Sequence, residues 1–162
     1  MPTDWIVYAC LILGISSALV AGVLQSFSDF VMRGLQRAAP AGGIESMQQL
    51  NRTVYRSIFL TTFMLMVPVT IAFAIFAWFN LQGLPQRLII GAAIVYVPSV
   101  FVVTAAGNVP MNERLDKLDH TSREAAEYWR TYGRIWSMWN TIRTIGAIVT
   151  SGAYLLAAVT FS

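Results

Sequence analysis

An all-α fold, a four-transmembrane-helix bundle with helices extended on the cytoplasmic side, is predicted by three features of this 162-residue sequence. The composition is 56% hydrophobic and only 12% charged, roughly half the charge of an ordinary soluble domain. The few charges leave four charge-free intervals: Trp5 to Ser28, Ser57 to Gln86, Leu88 to Asn112 and Thr144 to Ser162. Each is close to the roughly 20 residues needed to cross a hydrocarbon core about 30 Å thick. In lipid a helix satisfies its backbone groups within its own segment. The third feature is the asymmetry of the cations. Arg33, Arg37, Arg52 and Arg56 lie between spans one and two, and Arg114, Lys117, Arg123, Arg130, Arg134 and Arg143 between spans three and four, with Arg87 alone on the other side. By the positive-inside rule those two connections are cytoplasmic and both termini are outside, which is the periplasm for a bacterial inner-membrane protein.

The spans are expected at about 5–27, 57–80, 88–109 and 143–161, within a single integral membrane domain covering 1–162. The first has no Lys or Arg before Trp5 and is too long for a typical signal-peptide core, so it is expected to be retained. The helix is expected to continue through Gln25–Gln36, turn at Ala39-Pro40-Ala41-Gly42-Gly43, and resume from Ile44 to Arg56, forming a hairpin outside the membrane. The link at Gln82-Gly83-Leu84-Pro85 is tight, and Pro110 permits a bend below span three. Thr121-Ser-Arg-Glu124 has the form of a capping box, so the fourth helix is expected to begin near Thr121 and to project nearly half its length into the cytoplasm. Small residues in spans one and three, Gly14, Ala18, Ala21, Gly22, Gly91, Ala92 and Ala93, allow close helix approach within the chain or between copies.

With one cysteine, Cys10, and one histidine, His120, the chain offers no internal disulfide framework, zinc site or haem attachment motif. Cys10 is expected to serve packing only. No metal or cofactor is expected, and the net charge of +3 rests on too few charges to imply a nucleic-acid partner. Chemistry is left to amide, guanidinium, indole, phenol and carboxylate groups. At 100° per residue Trp129, Tyr132, Trp136, Asn140 and Arg143 fall within about 80° of one another on the fourth helix, a mixed aromatic and polar face that should be covered. Asn108 and Asn112 are neighbours on the third helix, and Gln48, Asn51, Arg52 and Tyr55 lie close together on the second cytoplasmic segment. Buried amides are costly in hydrocarbon and should face the bundle, either to fix its register or to line a pocket at its cytoplasmic mouth.

The run Gly107-Asn-Val-Pro-Met-Asn-Glu-Arg-Leu115, followed by Tyr128-Trp129, Trp136 and Trp139-Asn140-Thr-Ile-Arg143, resembles the signature of the anthrone oxygenase-like family of small four-helix membrane proteins. Met47-Gln48-Gln49-Leu50-Asn51-Arg52 is similar to a further element of that family. The resemblance implies oxidation of an anthrone, a reduced tricyclic polyketide, by O₂ without an established cofactor. Asn108, Asn112, Asn140 and Arg143 would hold and stabilise an oxyanion. Gln48, Asn51, Arg52, Tyr55, Trp129, Tyr132 and Trp136 would contact a planar hydrophobic substrate. Asp29, Glu113, Asp116 and His120 are the candidate bases, and the sequence leaves the choice open. The expected partners are the lipid bilayer, a hydrophobic aromatic or quinone-like small molecule, and further copies or a larger membrane complex. The alternative is a non-catalytic accessory or structural subunit whose polar cluster is architectural. A carrier is disfavoured because the sequence lacks an inverted repeat or broken helices.

Overall fold

The structure, a computed structural model, describes residues 4–161. Five helices account for nearly all of it: α1 (Asp4–Arg37), α2 (Pro40–Val54), α3 (Ile58–Asn80), α4 (Gly83–Asp116) and α5 (Arg123–Val159). All except α2 are long and apolar enough to cross a membrane, and no strand occurs among the described residues. The 37 residues of α5 make it about 55 Å long, nearly twice a hydrocarbon core.

The interruptions have local causes. Ala38 adopts extended backbone, and α2 restarts with Pro40 in its first turn, where a missing N–H costs no helix hydrogen bond. The turn expected over Ala39–Gly43 is therefore largely the opening turn of α2. Gly43 serves close packing there, since a Cβ would overlap the Leu35 carbonyl at the end of α1. Between α3 and α4, Gly83 has a φ of +75°, the left-handed conformation that glycine adopts without a Cβ penalty. The cap of α5 is one residue later than the capping-box pattern implies. Ser122 accepts from the Ala125 N–H, while Thr121 donates its N–H and hydroxyl to Asp119. Those two bonds hold the Asp119 carboxyl below the usual carboxylate range.

Three π-helical turns interrupt the α geometry, Phe27–Val31 in α1 and Val97–Val102 and Thr104–Asn108 in α4. Pro98, in the second, has no N–H for the regular ladder, and the wider turn accommodates it. Beyond these turns α4 continues through Pro110 to Asp116.

In the bundle α5 packs extensively against both α1 and α4, α4 packs against α3, and the α1–α3 seam is the most sparsely packed of the four. Hydroxyl groups lock α1 to α5: Ser17 donates to the Ala147 carbonyl and Ser151 to that of Gly14, both at 2.8 Å. Around them lies an apolar core that includes Leu13, Val20, Phe63, Met66, Ile89 and Tyr154. A second core lies at the basic end, where Met32, Ile44, Met47 and Leu115 cover the aromatic face of α5. Tyr128 ties that face to α4 by donating to the Met111 carbonyl, and Arg114 lies 4.2 Å above its ring.

Candidate functional site

The polar residues of α4 and α5 meet where the two cores join. Asn108, at the end of the third π turn, donates through Nδ2 to the Trp136 carbonyl at 3.1 Å. One turn on, Asn112 Oδ1 accepts from both the Tyr132 hydroxyl, 2.7 Å, and Trp136 Nε1, 2.8 Å. Two donors on one oxygen fix the orientation of that amide and leave Nδ2 as its remaining donor. Trp129, Tyr132 and Trp136 form a column of stacked rings, with centroids 5.3 and 6.1 Å apart. They therefore stack chiefly upon one another, and of the three Trp136 alone lines the cavity described below.

Asn140 and Arg143 complete the cluster. Asn140 Nδ2 donates to the Leu24 carbonyl and to Ser28 Oγ, at 2.6 and 2.7 Å, across to α1 beside its π turn. Arg143 is 7% exposed. It donates through Nη2 to Asn140 Oδ1 and through Nη1 to Thr104 Oγ1, and its guanidinium carbon lies 5.5 Å from the Trp136 ring. Among the described residues it forms no salt bridge. Burying a cation against neutral acceptors alone leaves its charge uncompensated. Four side-chain atoms of this region, Asn51 Nδ2, Asn108 Oδ1, Trp129 Nε1 and Arg143 Nε, are buried without a hydrogen bond, although such groups are normally satisfied.

A cavity of about 110 Å³ opens beside the cluster. Asn51, Asn112, Asn140 and Trp136 form its polar wall, and its apolar wall includes Leu24 and Met47. Val23, Phe27, Val54 and Phe59, all partly exposed, complete the lining and form its rim. Asn108 and Arg143 stand behind this wall and act on it through Trp136 and Asn140. Asn51 also sits against the Tyr132 hydroxyl.

The remaining sequence candidates are placed differently. Gln48 is buried but donates to the Leu115 and Leu118 carbonyls, tying α2 to the end of α4. Arg52 is exposed and pairs with Asp116 at 2.8 Å, and Tyr55 is 67% exposed. Both line a small outer cleft with Glu113, on the other side of Asn51 and Asn112 from the cavity. His120 lies 4.0 Å from Glu45 and from Asp119, and Asp29 is exposed. No group of residues suited to hold a metal occurs among the described residues.

Sequence reasoning missed Ser28 and Thr104, which complete the hydrogen bonding of Asn140 and Arg143, and the apolar contribution of α1 to the cavity. Thr104 lies four residues before Asn108 and was discoverable by spacing. Ser28 depends on a π turn that has no sequence signature.

No curated protein and no solved structure matches this chain. The family model described as anthrone oxygenase matches residues 52–153, a segment that carries Asn108, Asn112, Asn140 and Arg143 while α1 and Asn51 lie outside it. The chain, with four helices fit to span a membrane and a match over well over half its length, belongs to the anthrone oxygenase family.

Proposed function

We propose that the protein is an integral membrane oxygenase, which takes a planar, hydrophobic, oxidisable ring into the cavity at the basic end of the bundle and promotes its reaction with O₂. For an anthrone, the substrate in the family's name, the ring methylene loses its two hydrogens, one oxygen atom becomes the new carbonyl, and the other leaves as water. The demanding intermediate is the enolate formed when the first proton departs. Donors already held in place around its oxygen lower the cost of that charge.

One observation carries this reading: a buried guanidinium facing only neutral acceptors stands one amide away from a cavity. Arg143 supplies positive potential through Asn140. Asn51 Nδ2, buried beside the Tyr132 hydroxyl without a well-aligned hydrogen bond, is a donor in the cavity wall. Asn112, pinned by Tyr132 and Trp136, offers a second. With ten of the 11 Lys+Arg at this end of the bundle, the positive-inside rule puts the site at the cytoplasmic face of the inner membrane and the termini in the periplasm.

The test is O₂ uptake and quinone formation from an anthrone by the protein in lipid nanodiscs, with the Arg143→Met variant alongside. The wild type should exceed empty nanodiscs, and Arg143→Met should lose on the order of 100-fold in rate, as for removal of an oxyanion-stabilising group. Its folded yield and Tm should stay near wild type, because the change removes an uncompensated buried charge. A rate equal to empty nanodiscs, or a fall in rate matched by a fall in Tm, would favour the accessory-subunit reading.

A further inference from the structure

Resting on the oxygenase reading, we infer that Glu113 takes up the proton that leaves the ring, by way of water held at the partition formed by Asn51 and Asn112. The cavity itself sets the problem. Among the described residues that line it, none carries a carboxylate, imidazole, amine or phenol, and amide and indole groups do not accept a proton from a carbon acid. Behind its polar wall the Tyr132 hydroxyl is already donated to Asn112, and Arg143 is a cation. The rim, Val23, Phe27, Val54 and Phe59, is apolar. The acceptor therefore stands beyond the wall.

Asn51 and Asn112 line both the cavity and the outer cleft, so two amide side chains separate the two spaces. The cleft measures about 60 Å³, and its polar lining makes that space suited to water. Arg52, Tyr55, Glu113 and Asp116 complete it. Its two carboxylates differ. Asp116 is held by Arg52 at 2.8 Å, and an adjacent cation favours the ionised carboxylate, which weakens it as a proton acceptor. Glu113, the residue after Asn112, is exposed and forms no ion pair among the described residues. Asp29 and His120 line neither space.

Each amide nitrogen carries two N–H groups, so a side chain in the partition can face the ring on one side and water on the other. The carbonyl and the methylene of an anthrone lie across a single six-membered ring, so one amide serves the oxygen while the other holds the water. A methylene C–H bond breaks and its electron pair remains on the ring as the enolate. The proton passes to the water, which gives up one of its own to a Glu113 carboxylate oxygen. Glu113, being exposed, returns that proton to bulk water. No O₂ is consumed in this step, and the reaction with O₂ follows it.

The experiment follows deuterium incorporation into the methylene of an anthrone in D₂O, with the protein in nanodiscs, O₂ excluded, and the rate corrected for empty nanodiscs. Exchange reads the proton step apart from the oxygen step. The wild type should accelerate it. Glu113→Gln should lose on the order of 100-fold of that acceleration, within the range for a general base, at unchanged Tm. Glu113→Asp should keep about a tenth or more. Excess formate should raise the rate of Glu113→Ala about tenfold and leave the wild type within about twofold, a rescue that a merely structural role would not show. Asp29→Asn should also stay within about twofold. Wild-type exchange by Glu113→Gln, a loss matched by a fall in Tm, no rescue by formate, or a loss in Asp29→Asn instead would overturn the inference while leaving the oxygenase reading standing. So would a wild type that oxidises the anthrone without accelerating exchange. A wild type that neither accelerates exchange nor takes up O₂ would overturn both.

Discussion

Within the membrane-spanning core, Ser17 donates to Ala147, Ser151 to Gly14, and Tyr96 to Phe63 in the contacts that hold α1, α3, α4 and α5 together. At the basic end Asn51, Asn108, Trp129 and Arg143 each keep a buried polar atom without a hydrogen bond. Both regions are formed by helices of one bundle, so the difference lies in what the polar groups do. A hydroxyl returned to a neighbouring carbonyl completes the backbone's hydrogen bonding and fixes a crossing point. Of the four atoms at the basic end, Asn51 Nδ2 and Arg143 Nε are amide and guanidinium donors, which retain capacity for a ligand at a desolvation cost that packing alone does not require. The first arrangement stabilises the bundle, and the second is what an oxyanion site needs.

The sharpest way to break this comparison is Asn140, which belongs to both arrangements. It bridges α5 to α1 through Leu24 and Ser28 while accepting from Arg143. Asn140→Leu removes those bonds and leaves the guanidinium with one fewer partner, a loss of about 3 kcal/mol by the cost of unsatisfied buried groups. Chemical denaturation in detergent measures it. Adding Arg143→Met to the same chain should recover part of that loss, because the orphaned charge is gone. If the double variant is less stable than Asn140→Leu alone, the guanidinium is a structural strut and the division between the two regions fails.

Much of the bundle was legible in the sequence because the signal is physical and repeated: charges are expensive in hydrocarbon, so four charge-free intervals mark four spans. The lack of a breaker over Gln25–Gln36 carried α1 past the membrane, and the capping pattern at Thr121–Glu124 began α5 near Thr121; the helices run to Arg37 and from Arg123. Local competitions were less legible. Gly42 and Gly43 read as a turn, but Pro40 starts a helix there and Gly43 is needed for the contact with Leu35. Thr121 matches a capping pattern, yet Asp119 takes its hydroxyl and Ser122 caps instead. For the site, angular spacing identified the residues sharing one face of α5 but not what covers each of them. Trp129 and Tyr132 are therefore stacked under α2 while Asn140 reaches the cavity. Arg52 and Tyr55 share a segment with Gln48 but lie on its outer side.

A smaller effect sharpens the contrast at the cytoplasmic hairpin. Gly43→Ala places a methyl group on the Leu35 carbonyl and within 3.3 Å of the Trp129 ring. Backbone must move to admit it, at about 2 kcal/mol for overpacking. Because α2 covers the aromatic column, the expected result is a lower Tm together with faster hydrogen exchange in α2, while the spanning portions of α3 and α4 keep their protection. Uniform loss of protection would mean that the two cores unfold as one.

The smallest expected effect concerns the exception within the membrane core. Tyr154 is fully buried and its ring stacks on Phe73 at 6.2 Å, yet its hydroxyl makes no hydrogen bond. By burial alone it resembles the unsatisfied groups of the basic end, but it does not line the cavity there, and no hydrogen bond links it to Arg143. Tyr154→Phe removes only that hydroxyl, so stability should stay within about 0.5 kcal/mol of wild type, as for changes that touch no specific interaction. Tyr96→Phe, which forfeits the 3.2 Å bond to the Phe63 carbonyl, should cost about 1 kcal/mol. O₂-dependent oxidation of an anthrone in nanodiscs should be unchanged by Tyr154→Phe. A loss of that activity at unchanged Tm would place a second polar contact deep in the membrane core, and an unsatisfied group would then mark ligand contact in both regions of the bundle.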